Sequence, residues 1–92
     1  MGVNERAALA CILEAQQRPH VLRLVERIVA AVADEIREGE LSAADIVAAA
    51  NGAAVALAAR AVKVADIRDG GALLGAARRH LDLLFARARV RG

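Results

Sequence analysis

Residues 46–59 read IVAAANGAAVALAA, fourteen positions without a charge, eight of them alanine, with Asn51 and Gly52 at the centre. A helix that is small and apolar on every side is normally surrounded by other protein, and its alanines let neighbouring backbones come close. The stretch is therefore expected to be a buried packing element, the innermost helix of a bundle. Its one ambiguity is Asn51-Gly52, a dipeptide that signals a turn when it joins two strands. Alanine-rich helical sequence lies on both sides, so a continuous helix is expected, with a central glycine costing about 1 kcal/mol relative to alanine.

Working outward, no segment alternates with the period of two that a strand requires. Ser42 and Asp45, just ahead of the stretch, form the pattern Ser-x-x-Asp, in which each side chain bonds the other's backbone N–H. The helix should run from Ser42 to about residue 65. Before it, residues 20–38 carry the clearest amphipathic stripe. At about 100° per residue, Val21, Leu22, Val25, Ile28, Val29, Val32 and Ile36 share one side, with Arg23, Glu26, Arg27, Asp34, Arg37 and Glu38 opposite. Pro19 suits the entrance of that helix and Gly39 its end. A first helix over residues 4–17, with Asn4 as its N-cap and Leu9, Ile12 and Leu13 on one face, is the weakest in apolar bulk. The Arg18-Pro19 step ends it.

Ile67-Arg68-Asp69-Gly70-Gly71 is the next break, with Asp66 or Asp69 placed to cap a fourth helix reaching about residue 89. Its stripe is Leu73, Leu74, Ala77, Leu81, Leu84, Phe85 and Ala88. Leu83 and Val90 fall outside that stripe, nearer Ala76 and Arg79. This second apolar patch, Leu83, Val90 and Ala76, is a candidate interface with a partner helix. The fold class that follows is all-α, a single domain over residues 1–92 made of a compact bundle of about four helices, the alanine-rich third innermost. The core is expected to be aliphatic with Phe85.

Composition removes most chemistry. The chain holds one Ser, one Cys, two His and no Thr, Tyr or Trp. Nucleophilic catalysis needs a nucleophile, a base and an orienting group within reach. Ser42 is explained as a cap. Cys11 has Arg18 within two turns but no His near it in sequence, so it is expected to be inert. His20 is expected in solvent at a helix start, and His80, at the edge of the fourth stripe, to be partly buried and bonded to a neighbour. No pair of residues has the spacing of a zinc or di-iron motif, so no metal or cofactor is implied. Gly70-Gly71 with Gly75 resembles a phosphate loop only in its glycines, since no Lys-Ser/Thr pair follows. An enzyme is not expected.

A lone cysteine permits no intramolecular disulfide and suits a reducing compartment. Val3, Asn4, Glu5 and Arg6 supply neither the basic start nor the apolar run of a secretory signal. The charge-free stretch is shorter than the roughly 20 residues that span a bilayer. A cytoplasmic protein without membrane contact is expected.

The net charge of +2 hides an asymmetry. Residues 1–46 carry five Arg against eight acids, a balance of −3, and residues 47–92 carry eight bases against three acids, a balance of +5. The two halves could attract each other within one chain or between two. Asp34, Glu35, Glu38 and Glu40 crowd the end of the second helix, where the dipole disfavours them. They suit a surface that meets a basic partner. Arg78, Arg79, Arg87, Arg89 and Arg91 are candidate phosphate-binding residues, with an Arg78–Asp82 pair expected at i,i+4. A single aromatic residue leaves nucleic acid no stacking platform. The leading expectation is thus a small helical protein–protein interaction module without catalytic activity, an adaptor, regulator or inhibitor that docks on a protein partner or forms a homodimer. The alternative is a nucleic-acid-associated protein that binds phosphate backbone through the arginine-rich C-terminal helix.

Overall fold

The computed structural model describes residues 2–64 and 69–91, the last two by backbone alone. Four helices account for nearly all of them: α1 (Val3–Ala15), α2 (Pro19–Glu38), α3 (Ala43–Val64) and α4 (Gly70–Arg91). No strand occurs among the described residues.

Each boundary has a local cause. Gly2 precedes α1 in extended conformation and gives no side-chain cap. Asn4, expected to cap α1, lies inside it and donates from Nδ2 to Oδ2 of Asp69 at 3.2 Å. Pro19 occupies the first turn of α2, where its missing N–H costs nothing. Gly39 ends α2 by donating its N–H to the Glu35 carbonyl at 2.9 Å. Ser42 and Asp45 form the reciprocal cap at the start of α3: the Ser42 N–H donates to Asp45 Oδ2 at 3.0 Å and the Asp45 N–H to Ser42 Oγ at 3.1 Å. Hydrogen bonding to the Asp45 carboxyl, from the Ser42 amide first and the Ser42 hydroxyl second, holds it below its ordinary value of 3.8. Asp69 caps α4 through Oδ1, accepting from the Ala72 N–H at 3.1 Å. Asp66 lies outside the described residues. α3 passes through Asn51 and Gly52 without a break.

The helices do not close around α3. The tightest pairing is α1 with α4, followed by α3 with α4, and no helix packs along α2. α4 is therefore the central element. α3 contains no buried residue, which corrects the expectation that it is innermost. The reason is energetic: alanine removes little apolar area on burial, so an alanine-rich surface has little drive to seek the centre. The fully buried residue is Ala76 of α4. Phe85, expected in the core, is 54% exposed.

The molecule is correspondingly open. Its radius of gyration is 14.6 Å, whereas a compact domain of this length has about 12 Å. Its accessible surface is 7521 Å², against about 5,100 Å² for a folded monomer of its mass.

Candidate interaction surface

The contact between α1 and α4 is built on small residues. Ala76 is fully buried in it, and Gly75 leaves room for the Glu5 carboxylate, whose Oε1 lies 2.5 Å from where a Cβ on Gly75 would stand. Leu9, Ile12 and Leu13 of α1 are half-buried against this side of α4, as are Leu73, Ala77 and Leu81. His80 completes the contact, its Nε2–H donating to Oε1 of Gln16 at 2.7 Å. The partial burial and neighbour expected for this histidine are both present. Desolvation, and secondly the charge of Arg87, disfavour its imidazolium form, so its pKa lies below the ordinary 6.5.

A groove of about 510 Å³ runs between α1 and the start of α4, lined by Cys11, Ile12, Arg18, Asp69 and Leu73 among others. Cys11 is exposed, and no histidine lines the groove. Among the described residues no three of His, Cys, Asp and Glu converge as metal ligands would.

α2 presents a different surface. Leu22, Val25 and Val29 are 51%, 51% and 60% exposed, and Ile28, Val32 and Ile36 are also open. With half-buried Val21 these residues form the stripe read from the sequence, and no described helix packs along it. α3 adds Val47, Val55 and Leu57, all exposed. Among the described residues nothing beyond the helix's own neighbouring backbone lies within 4 Å of a Cβ placed on Gly52. Over α3 an 18-residue window has a mean hydropathy of 1.4, so this 22-residue helix is long and apolar enough to cross a membrane by length and composition. The charge-free stretch alone is shorter than that measure requires.

The sequence-predicted patch divides. Leu83 is 47% exposed, and Leu84 and Phe85 beside it are also open. Ala76, expected in the same interface, is 0% exposed and belongs to the chain's own core, which removes it from any docking surface. The side chain of Val90 lies outside the described residues. Phe85 is open on the fourth stripe with Leu84, about 200° around α4 from Leu83, so it belongs to a different face.

The candidate phosphate-binding arginines do not form one face. Arg78, Arg79, Arg87 and Arg89 are exposed, and the side chain of Arg91 lies outside the described residues. At about 100° per residue Arg78 and Arg89 share a side, Arg79 lies about a quarter-turn off it and Arg87 opposite. Glu5 and Asp82 line a hollow with Arg78 and Arg79, placing acid beside these bases. The expected Arg78–Asp82 ion pair does not form. Among the described residues the ion pair present is Arg37 with Asp34, at the end of α2.

No protein-family model, curated protein or solved structure matches this chain.

Proposed function

We propose that this chain is a non-catalytic helical interaction module whose apolar α2 face is covered by another protein surface. The observation that carries the reading is the α2 stripe, seven apolar residues on one side of a twenty-residue helix, six of them exposed and Val21 half-buried, with no described helix packed along it. Contiguous apolar surface of this kind marks protein contact in a folded chain, because water bears the cost of leaving it open at about 25 cal/mol per Å². Open Leu84 and Phe85, neighbours on the fourth stripe, offer a second, smaller contact. The poverty of reactive groups supports a role in binding, not chemistry, as an adaptor, regulator or inhibitor in the cytoplasm.

The test is light scattering of the full chain over a dilution series, read with absorbance at 260 nm and with binding of an apolar dye. Mass that rises with concentration supports the module with itself as partner. A monomer that binds the dye and lacks fixed side-chain packing supports a module awaiting a different protein. A rigid, dye-silent monomer overturns the reading. So does nucleic-acid affinity that falls steeply with salt, which would transfer the function to the α4 arginines.

A further inference from the structure

We infer that the occupant of the α2 face is a second copy of this chain, its α2 running antiparallel to the first across a two-fold axis; this rests on the interaction reading above. Three observations on different scales point there.

The first is spacing. Leu22, Val25, Val29, Val32 and Ile36 recur at intervals of three, four, three and four, which is the seam of one helix packed along another. The expected occupant is a helix of similar length, and the chain supplies one in α2 itself.

The second is area. The chain exposes roughly 2,400 Å² more than a folded monomer of its mass. Obligate dimers bury about 1,000–2,500 Å² on each subunit. One symmetric contact over α2, extended onto the open face of α3, accounts for an excess of that size.

The third is charge, and it sets the direction. Residues 18–29 hold three Arg and one Glu, whereas residues 30–40 hold four acids and one Arg. Each end therefore carries the sign its own helix dipole disfavours, +2 at the start and −3 at the finish. In a parallel pair acid would lie beside acid. In an antiparallel pair each −3 end lies beside the other copy's +2 end, and the two dipoles oppose as well. Arg18 at the helix entrance and Glu35 at the flank of the stripe lie nearest the seam, whereas Arg23, Arg27, Asp34 and Glu38 face away from it and contribute through the net charge of each end, screened over about 8 Å at physiological salt. A second copy meets this requirement without any further partner. Two-fold pairing is also the commonest oligomeric symmetry.

The experiment places single cysteines on the seam of the full chain in a Cys11→Ser background. Leu22→Cys and Ile36→Cys are incubated separately and as an equimolar mixture in reduced and oxidised glutathione, the oxidised form accepting the electrons as each disulfide closes. Antiparallel pairing predicts a covalent dimer in the mixture and little in either variant alone. Self-linking of each variant alone would show parallel pairing and overturn the proposal. Concentration-dependent association without either cross-link would also overturn it, placing self-association on another face while leaving the interaction reading intact. A dye-binding monomer at every concentration would reject the second copy and retain that reading; a rigid, dye-silent monomer rejects both.

If the cysteines weaken packing, a spin label on exposed Glu38→Cys in the Cys11→Ser background asks the same question. A two-fold axis near Val29 puts the two labels at opposite ends of the helix pair, about 27 Å apart along its axis at 1.5 Å per residue. Labels side by side at one end overturn the proposal.

Discussion

The chain contains two helical surfaces with opposite logics. Where α1 meets α4, apolar bulk is modest and contact is close, because small Ala76 is fully buried there, Gly75 leaves room for the Glu5 side chain and Gln16 satisfies His80. Along α2 the apolar bulk is the greatest in the chain, yet none of its residues is buried. Apolar content thus predicts how much a helix gains from a neighbour, whereas residue size at the point of crossing decides which neighbour fits. α4 offers a small-residue crossing and α1 takes it. α2 offers a broad ridge of Leu, Val and Ile that asks for an equally broad surface, and no other helix of the chain supplies one.

The contrast breaks most sharply if the α1–α4 contact is filled with charge. Ala76→Asp would put a carboxylate where the structure leaves no solvent, at a cost of several kcal/mol. The expected outcome is loss of the cooperative thermal transition followed by circular dichroism at 222 nm. Val29→Glu, 60% exposed in the isolated chain, is expected to leave the helical content of dilute protein unchanged and to abolish association at high concentration. Equal unfolding by both substitutions in dilute protein would erase the distinction between the surfaces.

Smaller effects test whether α3 belongs with the ordered or the waiting part. Ser42→Ala removes one half of its reciprocal cap and should cost about 1 kcal/mol. Hydrogen exchange should then quicken in the first turns of α3 and remain as before in α1. Gly52→Ala is expected to stabilise the dilute chain by up to about 1 kcal/mol, since helix propensity rises and the space around a new Cβ is empty. If the same substitution weakens association, another backbone approaches α3 there, and α3 shares the interface with α2.

These elements also show what could be read from residues alone. Both ends of α2 and the starts of α3 and α4 were legible because each is fixed within a few residues, by Pro19, Gly39, the Ser42–Asp45 pair and Asp69. The α2 stripe was legible as a face, since 3.6-residue periodicity is a local property. The arrangement of helices was not. Residues 46–59 look interior because they lack charge, but alanine supplies too little buried area to hold α3 at the centre. Ala76 was placed in the outer patch because of its neighbours on a helical wheel. Its burial depends on the approach of α1, which no local pattern encodes. Nor does a stripe say whether its cover lies in the same chain.

The finest test is pH, because His80 lies on the satisfied surface and its pKa is depressed by desolvation and by Arg87. Below 6.5 the unfolded chain takes up a proton at this site that the folded chain resists, so unfolding is favoured by acid. Stability from this group is fully present above the unfolded value of 6.5 and declines as pH falls below it, levelling off once the folded histidine is protonated too. Melting curves between pH 7.5 and 5.5 should show a decrease in Tm, small because His80 is only partly buried. His80→Gln should flatten that slope. The carboxylates titrate mainly below this window, so a slope that survives the substitution would place the sensitive group outside the α1–α4 contact.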